Sequence, residues 1–263
     1  MVESTAYPAF EIASRKAGLD ALREVLELPP KVCPASKTLV VIDEFQEVES
    51  LGLGMQFERT MRTIIEKQRG IAYIFLGSKT HLLERMFASS SRPFYNSAQK
   101  FLLGRPPQDE SVAFIKERFK TAGITIGSDL AEKVVALAGN VPYYLQAVGF
   151  WVFNAASGRR GRSVSAADID EGFASLYASE TILLENSFAS HPKSQRLLMR
   201  ALAEEPTERF DEAYRDSHGL GLTSTTNTAL KRLLLDGAIE LLDGKYSLSN
   251  PMLAYHLKIR TLQ

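Results

Sequence analysis

Apolar positions set the elements of this chain before any single residue suggests chemistry. Phe10, Ile12, Ala13, Leu19, Leu22, Val25 and Leu26 recur at the spacing of an amphipathic helix over 3–28, stopped by Pro29-Pro30. A loop with Cys33 and Pro34 leads to Leu39-Val40-Val41-Ile42, an unbroken apolar run. It reads as a strand over 38–43, buried on both faces of a parallel sheet. Past a turn bearing Gly52 and Gly54, the residues Phe57, Met61, Ile64 and Ile65 mark a helix reaching Gly70, and Ile71–Gly77 is a second apolar strand ending at Ser78. Strand, helix of about 15 residues and strand is the pattern of a right-handed parallel crossover, so the fold class is α/β. A short helix follows at 82–87, and Lys100-Phe101-Leu102-Leu103 reads as a third, short strand closed by Gly104 and Pro106-Pro107.

After Pro107 the pattern is helical. Asp109 opens a helix to Ala122, Ser128 another to Ala138, and Gly139-Asn140-Val141-Pro142 a third through Trp151. A Gly/Arg-rich linker, 157–162, precedes a long helix begun by Ser165 and Asp168, spaced as a capping box. Three short helices are expected at 194–203, 211–217 and 225–235. A hairpin over 238–248 follows, turning on Asp243-Gly244, a dipeptide favoured where strands reverse in two residues. Three helices and a hairpin make a winged helix, and a last helix over 251–260 ends the pattern. The expected domains are 1–106, an α/β core; 107–190, a helical lid; and 191–263, the winged helix.

Composition narrows the classes. The chain has 263 residues, 45% hydrophobic and 24% charged, which is that of a globular protein able to bury a core. Lys plus Arg equals Asp plus Glu at 31 each, so no global field steers it to nucleic acid or an anionic membrane, and any such binding must be local. The single cysteine, Cys33, cannot form an internal disulfide. No apolar stretch approaches the roughly 20 residues of a membrane helix, and the start lacks a basic-then-apolar leader. The expected location is the cytoplasm, with no membrane partner. His81, His191, His218 and His256 are scattered, with no metal-type clustering.

Charge follows the first strand directly, as Asp43-Glu44, at the end where parallel sheets gather their ligands. In phosphoryl-transfer sites such a strand end supplies one carboxylate for Mg²⁺ and another acidic residue to orient the attacking water. The alternative is structural: Asp43 opens a turn and Glu44 caps the next helix. Ser78 likewise is either a phosphate sensor or a cap for the helix that follows it.

Four motifs occur in order: Leu39–Gln46, Leu76-Gly77-Ser78, Gly139-Asn140-Val141-Pro142-Tyr143-Tyr144-Leu145 and Gly244–Pro251. On them the chain resembles the archaeal-type ATPases of the STAND branch of the AAA+ superfamily, relatives of the origin-recognition ATPases. The first resembles that family's Walker B strand and the second its sensor-1 strand end. The third resembles its Gly-Gly-x-Pro-x-Tyr-Leu lid motif, with Asn140 for the second glycine, and the fourth the end of its winged helix. The resemblance implies ATP and Mg²⁺ as ligands, with Asp43 on the metal, Glu44 on the water, Ser78 at the γ-phosphate, and Gly139 and Pro142 presenting the lid to the nucleotide. It makes Arg92, ahead of Arg85, the candidate arginine finger, although Asn96-Ser97 stand where relatives often carry Gly-Arg. It also implies self-association, and offers Asn227, Lys231 and Arg232 on the 225–235 helix as DNA contacts, with a protein partner as the alternative.

One departure outweighs the rest. A Walker A loop, G-x-x-x-x-G-K-[ST], occurs nowhere in the chain. Gly77-Ser78-Lys79-Thr80 imitates its tail, but Ala72 stands where the first glycine is required, and the segment follows the acidic strand instead of preceding it. The expectation is an N-terminally truncated member of the family, inactive or weakly nucleotide-binding alone. The alternatives are a winged-helix binding module or a non-functional fragment.

Overall fold

Two parallel strands and the helix between them form the first element of architecture in a computed structural model that describes residues 15–33, 37–49, 54–157 and 163–261. Helix α1 (Arg15–Leu26) and the short α2 (Leu28–Val32) come first. The expected start of α1 near residue 3, with Phe10, Ile12 and Ala13, lies outside the described residues. Pro29 and Pro30 end α1 and also open α2, where a missing backbone N–H costs nothing in the first turn. Strand β1 (Thr38–Ile42), a 3₁₀ turn (Phe45–Glu49), α3 (Gly54–Ile65), β2 (Ile71–Phe75) and α4 (Thr80–Ala88) follow. β1 and β2 pair in parallel register, Thr38 opposite Ile71 and Ile42 opposite Phe75.

The helices cover one face of this small sheet. Ile42, Tyr73 and Phe75 pack on a core of Leu19, Leu26, Phe45, Val48, Phe57, Met61, Met86 and Phe94. Four phenylalanines, Phe45, Phe75, Phe87 and Phe94, meet within it at centroid separations of 4.5–5.9 Å. Among the described residues the other face is half-exposed and not covered as the first is, which corrects the expectation of strands buried on both sides. Burial alternates along both strands, leaving Leu39, Val41 and Ile74 at 57%, 52% and 43% exposure. The expected third strand is also absent. Residues 100–103 form no ladder, Phe101, Leu102 and Leu103 are exposed, and Lys100 is drawn to Glu84 of α4 instead. Among the described residues the sheet therefore has two strands.

The chain divides into two compact units, Met1–Phe101 and Leu102–Gln263. The second holds α5 (Gln108–Thr121), α6 (Ser128–Leu137), α7 (Pro142–Ser157), α8 (Ala166–Ala189), α9 (Lys193–Glu204), α10 (Glu212–Ser217), α11 (Thr223–Leu235), the antiparallel hairpin β3 (Ile239–Leu242) and β4 (Lys245–Leu248), and α12 (Pro251–Thr261). One hydrophobic cluster runs through it from Ile115 to Leu257. Local chemistry places the boundaries. Ser165 and Asp168 exchange the hydrogen bonds of a capping box at the start of α8, and Asp211 caps α10 by accepting from the Tyr214 amide at 2.9 Å. Asp243 and Gly244 take φ of 51° and 80°, as a primed two-residue hairpin turn requires. Helices α7 and α8 cross closely at Gly172, where an added Cβ would lie 2.6 Å from the Val152 backbone nitrogen.

Candidate functional site

The ends of β1 and β2 bring Glu44 and Ser78 together. The Phe45 amide donates to the Leu76 carbonyl at 2.8 Å, and the Leu76 amide donates to the Ile42 carbonyl at 2.8 Å, so the ladder continues just past both strands and fixes their tips. Across those tips the Ser78 hydroxyl donates to Glu44 Oε2 at 3.0 Å, and the Gln46 side-chain amide donates to the same oxygen. These donors, led by Gln46 and then Ser78, hold the Glu44 carboxyl below the ordinary glutamate range, with the Lys79 charge a smaller contribution. Lys79 itself pairs with Glu47 at 2.8 Å. Asp43 is exposed, and its Oδ1 accepts from the Glu44 amide at 2.8 Å.

Glu44 has a left-handed backbone, φ 48°. A non-glycine residue held there carries a cost of roughly 1–3 kcal/mol, and such outliers cluster at sites where a side chain must be aimed. Here the turn aims the carboxylate toward Ser78. The capping alternative for Ser78 is not what the geometry shows: α4 has Lys79 at its cap position without a side-chain hydrogen bond, and the serine hydroxyl goes to Glu44.

Two supporting residues, Gln46 and Gly77, stand in the sequence motifs with no role assigned to them there. Gln46 is 1% exposed and lies across Gly77, where a side chain would collide with its amide and with Leu83. A side chain at position 77 would have to displace the Gln46 and Leu83 tips. The only sequence signal for it was a glycine ending an apolar strand.

Arg92 is 16% exposed at its side chain and pairs with Glu49 at 2.6 Å and with Glu58, whose side chain is fully buried. Arg62 donates to the carbonyls of Pro93 and Tyr95, so two arginines bind the 89–97 loop to the body of the unit. Arg85 is more exposed and pairs with Glu49. Burial pushes the Glu58 carboxyl up, and the Arg92 charge opposes that shift.

Gly139 and Pro142 belong to the second unit. Gly139 and Asn140 adopt successive left-handed conformations, φ 58° and 55°, before Pro142 opens α7. Asparagine is the non-glycine residue that best tolerates this region, which explains its place in the motif. The turn is tied down on several sides. Asn140 Nδ2 donates to the Pro106 carbonyl at 2.6 Å, Arg105 donates to the Gly139 carbonyl while pairing with Glu240, and Pro251 packs where a Gly139 side chain would stand. Tyr143 and Tyr144 both donate to Glu180 of α8, at 3.4 and 3.3 Å. Asn227, Lys231 and Arg232 are exposed on α11.

Asp43 and Glu44 offer hard carboxylate oxygens, a donor set that suits Mg²⁺ when water and phosphate supply its remaining ligands. Among the described residues no group of three or more His, Cys, Asp or Glu side chains could hold a metal by itself. No helix among the described residues is long and apolar enough to cross a membrane.

The chain aligns with the Walker-type ATPase of Pyrococcus abyssi at a TM-score of 0.67 and 19% identity, over 94% of this chain and 69% of that one. The ORC2 protein of Aeropyrum pernix, in ADPNP–ADP complexes, aligns at 0.46 and 15% identity, over 98% and 73%. A RuvB mutant of Thermotoga maritima aligns at 0.47 and 14% identity, over 91% and 74%. The first likeness shows the fold, a mostly helical α/β arrangement with a small parallel sheet as in a Walker-type ATPase; the other two are too distant to add to it. No protein-family model and no curated protein matches the chain.

Proposed function

We propose that this chain carries the metal-and-water half of an ATPase site of the STAND/AAA+ kind, acting as a switch, and that it binds nucleotide weakly or not at all without a phosphate cradle supplied by a further segment. The observation that carries the reading is the Glu44–Ser78 hydrogen bond at the carboxyl ends of parallel strands, in a chain sharing the fold of a Walker-type ATPase. In this reading β1 is the Walker B strand, Ser78 the sensor-1 residue, 107–190 the lid bearing Gly139 and Pro142, and 191–263 a winged helix.

Bound Mg·ATP would supply the phosphoryl group and the charge that offsets its transfer. Asp43 would hold the metal. Glu44, ionised well below neutral pH, would accept a hydrogen bond from the attacking water and orient it; a carboxylate so stabilised is a good orienter and a weak proton acceptor. Ser78, already bonded to Glu44, would exchange that bond for one to the γ-phosphate and so report whether it is present. Arg92, spent on Glu49 and Glu58, serves the fold of the loop; a finger role would require breaking that pair. Self-association and a cytoplasmic location belong to the same reading.

The test compares the chain as it stands with the longest in-frame form of its coding sequence. ATP turnover by the longer form, lost in Glu44→Gln while binding persists, supports the proposal. A longer form that binds no ATP, or the lack of any in-frame Walker A, overturns it.

A second reading rests on α11, whose exposed Asn227, Lys231 and Arg232 share one helix followed by a hairpin. In it the 191–263 region is a module for DNA or for a protein, and nucleotide chemistry has no part.

A further inference from the structure

Charge in the last third of the chain is balanced in number but not in place. Along α9 the basic residues Lys193, Arg196 and Arg200 precede any carboxylate, and α12 carries Lys258 and Arg260 with no carboxylate at all. The acids of this region gather elsewhere, at 204–216 and 236–243. Helices α9 and α12 pack against each other, and Arg200 of the first and Arg260 of the second line one hollow.

Positions 193, 196 and 200 fall on one side of a helix. Two adjoining hollows follow that side. One, of about 250 Å³, is lined by Lys193, Arg196, Leu197 and Arg200. The other, of about 360 Å³, is lined by Arg200 again with Phe188, Arg260, Glu185 and the buried His256. Arg200 lies 5.2 Å over the Phe188 ring, and Arg260 pairs with Glu185, the carboxylate of this hollow. Among the described residues Lys193, Arg196 and Arg200 have no ion pair. Two of these three cations sit in the first turn of α9, which has no acidic residue there and no side-chain cap. Positive charge at that end of a helix is opposed by its dipole, so the arrangement is unfavourable until an anion offsets it.

We infer that the α9 face, from Lys193 to Arg200 with Arg260 beside it, binds the phosphodiester backbone of a nucleic acid. The seven residue steps from Lys193 to Arg200 rise about 10 Å along the helix, over which one strand of a duplex presents about three phosphates at roughly 3.4 Å along its axis. Three unpaired cations match that count. Single-stranded and double-stranded forms share this phosphodiester chemistry, so both fall within the inference. This face is separate from α11, and the inference stands whether or not the ATPase reading does.

The experiment is fluorescence anisotropy with a labelled 20-base-pair DNA duplex and with one of its strands, across a salt series. The full chain is compared with Lys193→Gln/Arg196→Gln/Arg200→Gln and with Lys231→Gln/Arg232→Gln, each checked for an unchanged thermal transition. The expected result is micromolar binding at low salt to at least one form. In the α9 triple variant it weakens at least tenfold, and the slope of log K against log salt falls by about 2 to 3, while the α11 variant changes little. Should the triple variant melt early, the single variant Arg196→Gln is read instead, with a slope change of about 1. No salt-dependent binding, loss of binding only in the α11 variant, or equal competition by polyglutamate each overturns the inference; the second of these would instead favour the α11 module.

Discussion

Glu44 and Glu58 are two glutamates of one unit whose surroundings push them in opposite directions. Glu44 accepts from Gln46 and Ser78 and is held low; its ionised form stabilises the fold above the ordinary glutamate range, and that contribution is lost as pH falls through its folded value. Glu58 is pushed up by burial, so the linkage has the other sign: stability is greatest below the ordinary range and is lost as pH rises through the folded value. Ser78→Ala should therefore raise the Glu44 titration toward the ordinary value, read by carboxyl carbon NMR, and an unmoved titration would contradict the geometry. Relative to Glu58→Gln, the wild type should lose stability as pH rises above the ordinary glutamate range, and a flat difference across that rise would contradict the burial of this carboxyl. Glu44 and Ser78 were legible in the sequence, because an acidic pair after an apolar run and a serine ending another apolar run are local signals. The roles of Gly77 and the Arg92 pair were not, because they arise from contacts between residues about 30 to 45 positions apart; the Gln46 bond to Glu44 is local, but it is a turn contact that periodicity does not carry.

The elements followed the pattern closely, and their exceptions have physical causes. Strands β1 and β2 read as unbroken apolar runs, which suggested a sheet covered on both sides, yet two strands with helices on one face leave Leu39, Val41 and Ile74 in solvent. An apolar run reports what a strand tolerates and not which layers cover it. Val41→Thr/Ile74→Thr should lower binding of an apolar dye such as ANS without lowering the melting temperature, whereas an early melt would mean that this face is packed. The α7–α8 crossing depends on Gly172. Gly172→Ala should destabilise the second unit by about 1–3 kcal/mol, a loss measurable by urea denaturation, because backbone and not a mobile side-chain tip meets the new methyl. At the turn between α6 and α7, Asn140→Gly should cost about 1 kcal/mol for its bond to Pro106. Asn140→Val should cost more, since a β-branched residue resists the left-handed backbone.

At the scale of the whole molecule, the chain shares the fold of a Walker-type ATPase, and the strand-end site proposed on it rests on Asp43, Glu44 and Ser78 with no Walker A motif in the sequence. Glu44 and Ser78 meet, but the sequence contains no Walker A motif, whose backbone amides and lysine surround phosphates. That cradle supplies much of the attraction for a nucleotide, and Asp43 and Glu44 without it face a ligand carrying charge of their own sign. Titration of Mg·ATP into the full chain by calorimetry, beside an Asp43→Ala variant, tests this most directly. No binding tighter than about 1 mM, with wild type and variant alike, is the result predicted here. A micromolar Kd that disappears in Asp43→Ala would contradict it, and would mean that this chain builds a complete nucleotide site from residues other than a Walker A loop.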